Sequence, residues 1–302
     1  MRKKFLEGLT ENQIIELKKQ IERFERVKNE KRNIIDIDKE PMLKEGTLIH
    51  GTSFNKDVLS SISKTGIITG QYFDIQEDGE TYYCADFHRI YKDVELSSYN
   101  KNFSYNDGRC PFGKFGKNQV AFLIYPDKRL DEITKYDCYK DNGIESQITK
   151  SFVNMSGLPI ENENKKRASS ILFGIPSNFI NGIVLGDNIV KKENIDFLVK
   201  EFKGAFIIRN NGDLLYKYGD SEEILNLRIE KVAKTIEYEK ELTNSKKLLD
   251  QIKEMNDEKE KMWVAISSIP VEYISKIFKN LGYQGDCDIY AENLKNQYEK
   301  HK

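Results

Sequence analysis

Between about Leu43 and Gly219 the hydrophobic pattern keeps changing its period, and this constrains the fold more than any other feature of the chain. Short β-branched and aromatic runs at Thr47–His50, Thr81–Ala85, Val120–Tyr125, Ile183–Leu185 and Ala205–Arg209 read as strands. Leu214–Tyr216 pairs back across Asn210-Asn211-Gly212-Asp213, whose Asn-Gly step suits the positive φ of a hairpin turn. Between them, Lys56–Lys64, Asp127–Lys135, Pro176–Phe179 and Asn194–Phe202 read as short helices. Short strands mixed with short helices, without long βαβ repeats, predict an α+β domain rather than a doubly wound sheet.

The flanks follow a different rule. Thr10-Glu11-Asn12-Gln13 is a capping box, and Ile14, Leu17, Ile21, Phe24 and Val27 then recur at steps of three and four. The helix they predict reaches about Lys31 and offers an apolar stripe to the central domain or to a partner. From Ser221, Leu225, Ile229, Val232, Ile236 and Leu242 make a long charged helix to about Trp263. Its stripe suits either self-association or packing on the body, although Glu239 and Ser245 interrupt a strict dimer zipper. Pro270–Leu281 and Ile289–Lys302 read as two terminal helices. The expected organisation is an arm (1–42), a central domain (43–220), a long helix (221–264) and a small helical module (265–302).

Composition removes several functions. The 48 basic and 49 acidic residues nearly cancel, so a nucleic-acid partner is not indicated by charge. Cys84, Cys110, Cys138 and Cys287 show no C-x-x-C spacing, so no metal is expected and the thiols read as reduced. Met1–Glu7 is basic with no apolar run behind it, and no stretch reaches the length of a membrane span. The expected setting is cytoplasmic, without a membrane partner. Gly113-Lys114-Phe115-Gly116-Lys117 is Gly-rich but does not match the phosphate-cradling P-loop.

One ordered set of motifs carries chemistry. Leu48-Ile49-His50-Gly51-Thr52 is a buried strand ending in His-Gly-Thr, followed by a short helix, Thr65-Gly66-Ile67, and then Tyr82-Tyr83-Cys84-Ala85-Asp86. The set resembles the first half of an ADP-ribosyltransferase domain of the histidine-tyrosine class, the NAD-splitting fold of diphtheria-like toxins and poly-ADP-ribose polymerases. The resemblance spans about residues 43–216 and reaches neither helical end. It implies a split, mixed or antiparallel β core, with NAD as substrate and a macromolecular acceptor, most simply a protein.

Residue by residue, the resemblance makes His50 the ribose-binding histidine, Gly51 the clamp on the nicotinamide carboxamide and Thr52 the small hydroxyl that follows. Tyr83 matches the aromatic ring of the Tyr-x-Ala-Asp strand. Tyr91, and less closely Tyr99, match a second stacking ring. Arg109 is a loop cation suited to the pyrophosphate. Fixed groups of this kind work by positioning and electrostatic preorganisation. The pattern breaks at the glutamate, where Ala168-Ser169-Ser170-Ile171-Leu172 carries serine at Ser169 and Ser170. Glu145, in Glu145-Ser146-Gln147, is the replacement carboxylate, or else simply opens a polar helix.

The expected activity is therefore transfer of ADP-ribose from NAD. The competing expectations are an NAD- or ADP-ribose-binding module without turnover and a helical interaction protein that uses the fold as a scaffold. An RNA 2′-phosphotransferase relative is the third; it wants several arginines in the site, and the central domain is rich in lysine instead.

Overall fold

Thr10 sets the first helix as its sequence requires: its hydroxyl accepts the Gln13 N–H, and the Gln13 side chain accepts the Thr10 N–H at 2.9 Å. Helix α1 (Glu11–Lys28) follows, with Leu17, Gln20, Phe24 and Val27 buried. The computed structural model describes residues 10–69, 84–90, 92–93, 119–138, 145, 147, 168–253, 269–280 and 284–300. The chain divides into two compact units, Met1–Ile229 and Glu230–Lys302.

The first unit is α+β. Its strands are β1 (Leu48–Ser53), β2 (Gly66–Ile68), β3 (Cys84–Arg89), β4 (Gln119–Ile124), β5 (Ala168–Leu172), β6 (Gly174–Pro176), β7 (Gly182–Leu185), β8 (Phe206–Arg209) and β9 (Leu214–Tyr216). Seven form one sheet in the order β5-β3-β1-β4-β7-β8-β9, and β2 pairs with β6 in a separate ribbon. All pairings are antiparallel except β7–β8, which helix α4 (Lys192–Glu201) connects. Parallel neighbours need such a crossover, and α4 supplies it.

One face of the sheet buries Ile49, Ala121, Leu123, Val184, Phe206 and Ile208 beneath Ile37 and Leu43 of the segment leading into β1. On β4 the intervening Phe122, fully buried, points the other way and meets Phe202 at the end of α4 with ring centroids 5.4 Å apart. Helix α2 (Lys56–Thr65) leaves β1 through Asn55, whose side chain accepts the N–H groups of Asp57 and Val58. That cap fixes where β1 stops.

Polar side chains fasten the segment after α1. Asn178 donates to the carbonyls of Val27 and Glu30, Asn181 donates to Asn33 O at 2.8 Å, and Arg32 donates to Ser177 O at 2.9 Å and to Lys203 O. Among the described residues Arg32 bonds carbonyls only, and burial pulls its pKa down to about 10. Tyr136 is fully buried, donates to Glu16 at 2.8 Å and accepts from Arg23. The arm expected at the N-terminus therefore packs on the central domain.

Three expectations are corrected. The Gly66-Ile67 turn is a strand, because β2 and β6 lie so close that only glycine fits at Gly66 and Gly174. The strand placed at Thr81–Ala85 continues to Arg89, with residues 81–83 outside the described part. The helix placed at Asp127–Lys135 is a 3₁₀ turn (Lys128–Leu130) followed by one turn of α-helix, α3 (Asp131–Thr134).

Helix α5 (Glu222–Lys253) begins in the first unit, and its stripe Leu225, Ile229, Val232 and Ile236 is buried. Residues 254–268, which include the expected end of this helix at Trp263, lie outside the described part. In the second unit, α6 (Val271–Asn280) and α7 (Cys287–Lys300) share a small core of Ile269, Ile274 and Ala291. Phe278 and Tyr290 meet edge to face at 4.9 Å. Among the described residues, no helix is long and apolar enough to cross a membrane.

Candidate functional site

Strand β1 pairs with β4 along its whole length, Leu48↔Ile124 to Ser53↔Gln119. With β3 it pairs only at Leu48↔Arg89 and Ile49↔His88. Main-chain groups alternate sides along a strand. Ile90 N–H bonds Thr47 O at 2.9 Å on the β3 side, so the same alternation turns Ile49 and Gly51 to that side. The ladder stops just before Gly51. Its N–H and C=O thus face β3 at the point where the two strands part company.

His50 occupies the break. A continued ladder would join Gly51 N–H to the carbonyl of Asp86, but Nδ1 of His50 takes that carbonyl at 2.8 Å. A carbonyl only accepts, so Nδ1 carries the hydrogen and Nε2 of the neutral ring is left as an acceptor. Burial holds the His50 pKa below the usual 6.5, opposed by the Asp86 carbonyl and by the Asp86 charge. The ring is half-exposed but recessed, with the Phe87 ring tilted against it at 5.5 Å. Thr52, two residues on, is also half-exposed and lies on the same face as His50.

A polar chain runs outward from this point across β3 and β5. Asp86 pairs with Ser170 in register, and Ser170 Oγ donates to Asp86 Oδ1 at 2.5 Å. Ser170 N–H bonds Asp137 Oδ1 at 3.0 Å, and Asp137 Oδ2 receives Arg89 Nη2 at 2.7 Å. Arg89 Nε donates to Ser169 Oγ at 2.8 Å. Ser169, Ser170 and Asp137 are buried, so each bond satisfies a group that water does not reach. Burial raises the Asp86 pKa above 3.8, with Asp137 adding repulsion; the Ser170 hydroxyl and His50 act against the rise.

Comparison of this chain with protein-family models, with curated proteins and with solved structures returns no match.

Of the residues singled out in the sequence, His50, Gly51 and Thr52 share the strand at the break. Ser169 and Ser170, at the expected glutamate position, lie on β5, one strand beyond β3. Glu145 is helical and half-buried. Tyr83, Tyr91, Tyr99 and Arg109 lie outside the described residues. Sequence reasoning gave no role to Asp86, Arg89 or Asp137. The available signal was charge in a strand: Asp86, His88 and Arg89 alternate or abut in a segment otherwise built from small and aromatic residues. Among the described residues, no group of three His, Cys, Asp or Glu side chains could hold a metal ion.

Proposed function

We propose that this chain binds NAD at the end of β1 and splits its nicotinamide–ribose bond, transferring ADP-ribose to a macromolecular acceptor, in the manner of histidine-tyrosine ADP-ribosyltransferases. The β core, divided between a large mixed sheet and a separate ribbon, is compatible with that family's split core. The observation that carries the reading is the end of the β1–β3 ladder at Ile49↔His88. Beyond it, Gly51 offers one N–H and one C=O side by side, the complement of a carboxamide. His50, neutral and fixed through Nδ1, offers Nε2 to a ribose hydroxyl. Tyr83 and Tyr91 are the proposed stacking rings, Arg109 the proposed pyrophosphate contact and Glu145 a candidate carboxylate.

The test is free nicotinamide released from NAD by the purified chain, beside His50→Ala. Release that disappears in the variant supports the proposal. Absence of both release and His50-dependent NAD binding overturns it. A second reading, binding of NAD without turnover, is favoured by one observation: the glutamate position holds buried serines engaged with Asp86 and Arg89. Binding that needs His50, without release, would select it.

A further inference from the structure

We infer that Asp86 supplies the carboxylate of this site, held in position by the serine that stands where the glutamate is missing. The inference rests on the NAD-splitting reading and assigns its carboxylate to Asp86 in place of Glu145.

Continuing the β1–β3 register two residues past the ladder's end sets Asp86 opposite Gly51. The residue keeps access to solvent although its carboxylate is partly desolvated, unlike Asp137, which is buried with both oxygens engaged. Ser170 holds Oδ1 of Asp86, and among the described residues Oδ2 has no hydrogen-bond partner. Ser170 is itself fixed, because its N–H is tied to Asp137, which Arg89 clamps. The main chain of the same residue orients His50. One residue thus positions the imidazole through its carbonyl and presents a carboxylate through its side chain.

Phe87 shares the His50 face, so the Asp86 side chain leaves β3 on the other face. Imidazole and carboxylate therefore flank the opened strand edge from its two sides. The Asp86 charge still works against the fall of the His50 pKa. A substrate clamped at Gly51 then lies at the edge that the two groups flank.

The chemistry needs a carboxylate there. When the bond between ribose C1′ and the pyridinium nitrogen breaks, its electron pair leaves with neutral nicotinamide and positive charge develops on the sugar. An Asp86 carboxylate accepting the neighbouring ribose hydroxyl stabilises that charge. The acceptor's nucleophilic atom then bonds C1′, and its proton passes to Asp86 and on to water.

The experiment uses the full chain and measures nicotinamide release and NAD binding in wild type, Asp86→Asn, Ser170→Ala, Glu145→Gln, Asp86→Ser and the exchange Asp86→Ser/Ser170→Glu. Thermal melting checks that each variant folds. Asp86→Asn is expected to lower turnover by roughly 100-fold or more while NAD binding changes by less than about fivefold, since the loss falls on the transition state. Ser170→Ala is expected to lower turnover by about tenfold, the weaker effect of lost orientation. The exchange variant, which returns a carboxylate to the β5 position, is expected to recover activity that Asp86→Ser alone lacks. Should Asp86→Asn fail to fold, the Ser170→Ala and exchange results decide. Turnover within about twofold of wild type in Asp86→Asn overturns the inference and leaves the NAD reading standing, with loss in Glu145→Gln then assigning the carboxylate to Glu145. Binding through His50 without release from wild type also overturns it, in favour of a binding module. Neither binding nor release overturns both.

Discussion

Gly174 and Gly219 form a matched pair, since both hold φ at +93°. A Cβ at Gly174 would lie 2.0 Å from the carbonyl oxygen of Ile67 and 3.1 Å from Ala85 Cβ, whereas a Cβ at Gly219 would meet nothing within 4 Å. The left-handed backbone costs an alanine about 1–2 kcal/mol at either position. The stiffer unfolded chain returns about 0.4–1 kcal/mol at either position. Both terms act in the same direction on the two variants. What remains is the carbonyl contact, which is backbone against backbone and yields only by opening the β2–β6 ribbon around Ile67↔Ile175. Forcing atoms into a packed interior costs about 1–3 kcal/mol, so Gly174→Ala is expected to be less stable than Gly219→Ala by that amount. Denaturant unfolding of the full chain, followed by a signal from the first unit, measures both. Agreement of the two variants within about 0.5 kcal/mol, against that expected gap, would refute the argument that close approach dictates glycine in the ribbon.

Four other outcomes are expected. Phe122→Ala, which empties a fully buried site beside Phe202, is expected to cost about 3–5 kcal/mol, checked by equilibrium unfolding. Tyr136→Phe removes bonds to Glu16 and Arg23 and should cost about 1–2 kcal/mol; the buried wild-type phenol, pushed up to about 12, should resist ionisation in an alkaline difference titration against that variant. Gln20→Met should be neutral or mildly stabilising in a thermal melt, because among the described residues the buried Gln20 leaves Oε1 unpartnered and makes a single 3.3 Å bond, to Leu172 O. His50 should make stability fall with acid. Its folded pKa lies below the unfolded 6.5, so below that value the unfolded chain binds more protons and gains on the folded one. The opposite sign holds for Asp86, whose raised pKa gives stability at low pH that is lost as pH rises above 3.8. His50→Gln should therefore remove part of the loss seen on acidification from about pH 7 to pH 5, and an unchanged profile would count against the buried neutral ring.

The parts of the fold that rest on local chemistry were legible in the sequence. The Thr10 capping box, the helix at Lys56 and the Asn210–Asp213 hairpin each depend on residues a few positions apart, and each is present. In the hairpin, Gly212 supplies the positive φ that the Asn-Gly step implied. The ribbon of β2 and β6 was not legible, because three-residue strands containing glycine look like turns until a partner is known. Strand β3 was ended too early, at Ala85 rather than Arg89, since the Tyr82-Tyr83 pair outweighs Asp86, His88 and Arg89 in any propensity sum. Those polar residues are strand residues because β5 meets them with Ser169 and Ser170, a match visible only across some eighty positions. The candidate site divides in the same way. His50-Gly51-Thr52 announced itself as a motif, whereas the role of Asp86 emerges from where a ladder ends.

The fastening of α1 also has a consequence for synthesis. Gln20 reaches Leu172, and Asn178 reaches back to Val27, across about 150 residues of chain. At a translation rate of about 5–20 residues per second, α1 leaves the ribosome roughly 8–30 s before those partners exist. Throughout that interval Leu17, Phe24 and Val27 have no cover from β5 or β6. The nascent first unit thus carries the apolar stripe of an amphipathic helix uncovered by these strands for most of its elongation.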